Sequence, residues 1–130
     1  MRSVPGMVAF LAILGLPLIG QADSVGERLS ADQIRAQFVG NTEVGSVEGF
    51  DFVRYNAPDG ASTVRVGNVV DRGAYRVTSD GRSCTRWHKF NGQAEACYRI
   101  YRHGDTFYTI DRAGGIRATF KLIPGNPYHL

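Results

Sequence analysis

Three kinds of side chain in this 130-residue sequence are suited to chemistry: histidine, cysteine and arginine. The histidines are His88, His103 and His129. None lies four residues from another and there is no HExxH, so no metal site and no cofactor are expected. No GxSxG elbow presents a serine nucleophile. For acid–base work the sequence offers His88 or His103 with a carboxylate such as Asp105, an arrangement that would serve a small hydrolase or isomerase. The plainer reading makes His88 a strand-edge residue and places His103 in an HGD turn.

The arginines point elsewhere. Arg76, Arg86, Arg99 and Arg117 each alternate with apolar neighbours, so each lies opposite the predicted core side of its own strand. The planar guanidinium fork suits carboxylate, sulfate and phosphate. An anionic glycan, a lipid headgroup or an acidic protein is therefore the expected kind of partner. The alternative is a solvated sheet face on which arginines pair with Glu95, Asp80 and Asp111. Nucleic acid is not expected, because strand propensity already accounts for the interleaved tyrosines.

Cys84 and Cys97 flank Asn91-Gly92, a hairpin-turn pair. Positions paired across an even-length loop sum to an odd number, and 84 plus 97 is 181, so both cysteines share one face. They lie either directly opposite, around a four-residue loop Lys89–Gly92, or two residues out of register around Asn91-Gly92. Without a CxxC pair or a helix start after Cys84, a structural disulfide is expected, not a redox centre. Trp87, Tyr98 and Ile100 share the other face, which reads as core.

These residues need a scaffold, and the turn signals outline one. Pro58-Asp59-Gly60, Asp80-Gly81, Asn91-Gly92, His103-Gly104-Asp105 and Ala113-Gly114-Gly115 separate runs rich in Val, Ile, Thr, Tyr and Phe. Strands are predicted at 41–47, 50–56, 62–66, 74–79, 82–90, 96–102, 106–111 and 116–122. Ile116, Ala118, Phe120 and Leu122 alternate with Arg117, Thr119 and Lys121, the period of a half-buried strand. Before them, Ser30 and Gln33 form a capping box at the start of a short helix over 30–39, stopped by Gly40-Asn41. The fold class is mainly β: an antiparallel meander of about eight strands, forming a small barrel or strongly curved sheet, with one short N-terminal helix. Phe52, Tyr75, Trp87, Tyr98, Ile100 and Phe120 are large enough to fill such a barrel, so a dry interior is expected over a ligand cavity.

The first 22 residues read as a secretory signal: Arg2, an apolar run from Met7 to Ile19, then the small-x-small Gly20-Gln21-Ala22. Residues 23–130 would then form a single exported domain without a membrane span, in the periplasm or secreted. An oxidising compartment agrees with the disulfide. Charge in that domain is uneven. Residues 23–67 hold four arginines against seven acids, and 68–130 hold eight arginines and two lysines against five acids.

Taken in order, LSADQIRAQFVGNT, APDG, RGAYRVTSDGRSCTRW, ACYRIYRHGDTFYTID and RATFKLIPGNP resemble a family of small exported, periplasmic proteins of alphaproteobacteria whose activity is uncharacterised. The resemblance implies a periplasmic address and a disulfide-stapled β-meander, and carries over no functional residue. Periplasmic lysozyme inhibitors are a second comparison. They are small disulfide-bearing barrels, but an acidic surface would suit their basic target, and this domain is mildly basic. The function expected is a non-enzymatic periplasmic binding or interaction domain that uses its arginine-bearing face. The alternatives are the histidine enzyme, a lysozyme-inhibitor-like protein and a structural envelope protein.

Overall fold

The computed structural model describes residues 25–130, so the segment 1–22 read as an export signal lies outside the described residues. The chain runs β1 (Glu27–Arg28), α1 (Ala31–Phe38), β2 (Asn41–Val47), β3 (Phe50–Asn56), β4 (Ala61–Val66), β5 (Val69–Val77), β6 (Arg82–Trp87), β7 (Glu95–His103), β8 (Thr106–Ile110) and β9 (Ile116–Pro124). Each of β2 to β9 pairs antiparallel with its sequence neighbour, and β9 returns to pair with β2. The result is a closed eight-stranded barrel, which hides every edge of the meander. The two-residue β1 adds to β7 beyond the start of β6, with Glu27 opposite Arg102.

The capping box forms as its sequence requires. Gln33 N–H donates to Ser30 Oγ, and Ser30 N–H donates to Gln33 Oε1. Ile34 and Phe38 face inward and close one end of the barrel with Leu29. Phe38 meets Phe107 and Phe120 edge-on at 5.3 and 5.6 Å, and Phe107 stacks on Phe120 at 5.5 Å. Burying an apolar side chain of this size contributes roughly 1.5–3 kcal/mol, which anchors a helix too short to persist alone. Among the described residues no helix is long and apolar enough to cross a membrane.

Cys84 and Cys97 are direct register partners with Cα atoms 4.0 Å apart, and they form a disulfide. Of the two predicted registers, this is the directly opposite one. A closed loop of this length stabilises the fold by about 3 kcal/mol. The predicted strand 82–90 is shorter than expected. It ends at Trp87, and Phe90–Gln93 forms a tight turn in which Asn91, Gly92 and Gln93 all take positive φ. The strand predicted at 74–79 begins earlier, at Val69.

Two other expectations are corrected. Ile116 does not share the core face with Ala118, Phe120 and Leu122. A bulge opposite Thr109 and Ile110 inserts one residue into β9, so Ile116 is exposed and Arg117 turns toward the barrel mouth. The interior is also not filled by side chains. Small residues line much of the wall, including Ser83, Thr85, Ala96, Thr109 and Ala118, and they leave an open volume that the large residues alone would have filled.

Candidate functional site

The cavity has a volume of about 430 Å³. Its side walls carry Phe52, Val64 and Val66 from β3 and β4, and Trp87, Tyr98 and Ile100 from β6 and β7. Phe38 of α1 lies at the closed end. Val47, Glu48, Phe50, Phe90 and Arg117 mark the opposite, turn-bearing end. Phe50 is 63% exposed there, an apolar side chain at the entrance. Of the interior candidates read from sequence, Phe52, Trp87, Tyr98 and Ile100 line the cavity. Phe120 is packed behind it, and the Tyr75 hydroxyl donates to the Ala57 carbonyl at 2.7 Å.

Two charged residues lie toward the closed end. Glu43 on β2 and Arg54 on β3 are register partners, so both point inward. Arg54 Nε donates to Asn56 Oδ1 at 2.9 Å and Ser62 Oγ at 2.7 Å, and its Nη2 donates to Thr85 Oγ1 at 2.7 Å. Asn56 Nδ2 donates to Glu43 Oε2 at 2.8 Å, and the same carboxylate oxygen lies 3.9 Å from Arg54 Nε. Trp87 covers the guanidinium, its ring centroid 5.0 Å from the Arg54 Cζ atom. Burial pushes the Glu43 carboxyl above the usual range, against the opposing pull of Arg54 and of the Asn56 hydrogen bond. The guanidinium and the carboxyl form a polar end to a mainly apolar chamber.

Sequence reading passed over both residues, although the signal was present. Phe50, Phe52 and Arg54 are spaced by two on one strand, as are Glu43, Gly45 and Val47. The alternation that puts Phe52 inside therefore puts Arg54 inside as well.

The turn beside Trp87 is held by Asp71, which is only 2% exposed. Its carboxylate accepts the backbone N–H groups of Lys89 and Phe90 at 2.8 and 2.9 Å, and that of Arg72 at 2.8 Å. Burial alone would raise this carboxyl, but the Phe90, Lys89 and Arg72 N–H groups together hold it below the usual range. Asp71 thereby fixes Phe90, one of the walls of the entrance.

The four predicted arginines divide between two places. Arg76, Arg86 and Arg99 lie on the outer face. Arg76 grips Glu95 with two hydrogen bonds of 2.9 and 2.8 Å, Arg86 donates to the Gln93 carbonyl, and Arg99 donates to the Asp111 carbonyl. Arg117 bonds Glu48 across the entrance and lies over the Tyr98 ring. The structure does not gather the four into one ladder. His88 and His103 sit at opposite ends of the β6–β7 hairpin, both exposed, and neither lines the cavity. Asp105 is paired with Lys121 at 3.6 Å. Among the described residues, the Cys84–Glu95–Cys97 group is the one cluster with metal-ligand spacing, and its sulfurs are joined to each other in the disulfide.

Comparison of the chain with protein-family models, with curated proteins and with solved structures gives no match.

Proposed function

We propose that this protein is a non-enzymatic, periplasmic or secreted binding protein that encloses a small, mainly apolar ligand inside its barrel. The observation that carries this reading is the chamber of about 430 Å³ with mainly apolar walls and a single inward-pointing, partly buried arginine toward its closed end. Pockets of roughly 300–1,000 Å³ with a few fixed polar groups are the usual form of a small-molecule site. The N-terminal signal pattern and the disulfide support the exported address. Capture of anionic envelope components on the outer arginines is supported less well, since Arg76, Arg86 and Arg99 each hold a partner within the chain. A histidine enzyme is supported least, because neither His88 nor His103 lines this chamber and Asp105 is paired with Lys121.

Trp87 is the only tryptophan and lines the cavity, so its fluorescence reports occupancy directly. The neutral probe N-phenyl-1-naphthylamine should quench Trp87 at saturable, micromolar concentrations. Ala118→Phe, which fills the chamber from β9, should abolish quenching while the β-sheet circular dichroism persists. Quenching unaffected by a folded Ala118→Phe would place the probe elsewhere and refute the reading.

A further inference from the structure

We infer that the ligand is an apolar monoacid whose carboxylate is held between Arg54 and Glu43, and that its binding brings one proton to the Glu43–ligand pair. This rests on the cavity-binding reading and names the chemical class that the polar end selects.

The first argument is unused bonding capacity. Arg54 engages its neighbours through Nε and Nη2, whereas Nη1 makes no hydrogen bond among the described residues. No fully enclosed side-chain nitrogen or oxygen in that set lacks a partner, so Nη1 reaches open space, and Arg54 lines the cavity. Glu43 accepts the Asn56 amide at Oε2, and its Oε1 is likewise left without a protein partner among the described residues. A planar carboxylate meets both vacancies. One oxygen accepts N–H from Arg54, and the other accepts O–H from a protonated Glu43.

The second argument is charge. The formally charged groups lining the cavity are Glu43, Arg54, Glu48 and Arg117, and the last two bond each other at the entrance. The polar end therefore offers one cation and one carboxyl. A cationic head would face Arg54. A dianion would leave negative charge uncompensated in a low-dielectric chamber. A neutral head can accept from Arg54 but brings no negative charge to set against it. A monoanion together with a proton on Glu43 sets one negative charge against the one guanidinium.

Glu43 is faced by Arg54 and Asn56 from β3. Its register partner on β9 is Leu122, and α1 contributes Phe38 to the lining. Among the described residues no second cation stands beside it to keep it ionised next to an arriving anion. The upward displacement of its carboxyl by burial runs in the same direction. Size bounds the rest of the ligand. A cavity of about 150 Å³ holds benzene, so this one takes roughly a dozen heavy atoms with room to spare.

The test is calorimetric titration of the full protein with decanoate, decan-1-ol and decylamine. Two buffers of different ionisation heat, used from roughly pH 6 to 9, count the protons exchanged. Decanoate should bind at least about tenfold more tightly than the alcohol or the amine, the size of one charge-assisted hydrogen bond. Its uptake should approach one proton per ligand at the alkaline end, and Glu43→Gln should remove that uptake. Arg54→Gln should erase the preference for decanoate. If that variant does not fold, the wild-type ratio and proton count decide alone. Equal binding of decanoate and decanol, or decanoate binding with no proton uptake anywhere in the range, overturns the assignment while leaving cavity binding intact. Failure of all three compounds to bind overturns both readings.

Discussion

Arg54 is the residue on which the interior depends. A guanidinium inside a barrel is tolerated only if hydrogen bonds replace the water it loses, and Asn56, Ser62 and Thr85 supply them from three strands. Removing it takes a donor from each of those partners and leaves Asn56 Oδ1 only the Ser62 hydroxyl, so Arg54→Met should cost about 3 kcal/mol in denaturant unfolding. Glu43 differs, because its carboxyl is displaced toward the protonated form. A carboxyl raised on folding contributes stability that is full below its unfolded pKa and is lost as pH rises through the folded value. Glu43→Gln mimics the protonated state. It should change stability by less than about 1 kcal/mol at mildly acidic pH and should flatten the decline that the wild type shows toward alkaline pH. Parallel pH–stability curves for wild type and Glu43→Gln would show that this carboxyl does not titrate differently on folding.

At the scale of elements, the β6–β7 hairpin carries Thr85, Trp87, Phe90 and Tyr98 to the cavity, and two devices hold it. The disulfide joins its strands, and Asp71 on β5 holds its turn. Because three N–H donors lower the Asp71 carboxyl, its contribution is complete above the unfolded pKa and is lost as pH falls through the folded one. Asp71→Ala should cost about 2 kcal/mol and raise amide exchange at Lys89 and Phe90 first. Unchanged exchange at those two amides would mean that the carboxylate does not hold the turn. The strands of this hairpin were legible in the sequence, as were the helix cap and the pairing of the cysteines, because alternation, turn residues and capping are local signals. The bulge in β9 was not, since it depends on how Thr109 and Ile110 meet their partners and leaves no local mark. The cavity escaped for a related reason. Large inward residues announce a core, whereas empty space comes from small ones, and Ala96 or Ala118 means nothing until the opposite wall is known. Arg54 and Glu43 were accessible to the same parity rule and were missed because charge draws attention to the outer face.

The whole molecule is closed by one seam, β2 against β9, which joins residues from opposite ends of the domain. Apart from the two-residue β1–β7 pairing, every other strand pair among the described residues links sequence neighbours, so the seam contains the pairing with the greatest loop-closure cost. Gly45 lies at its centre opposite Phe120, and a Cβ there would run into the Thr119 carbonyl and the Phe120 backbone. Gly45→Ala must therefore part the two strands, at a cost of roughly 1–3 kcal/mol. A closed barrel offers no partly opened state with protected edges, since parting one pair exposes two strands and wets the shared interior. The loss at the seam should then appear everywhere. Exchange of the slowest amides in β5 and β6, on the far side of the barrel, should accelerate by the same factor as in β2 and β9. If β5 and β6 kept their protection while the seam lost its own, the barrel would open locally at β2–β9. That seam, and not the turn-bearing mouth, would then become the natural route for a ligand into the chamber.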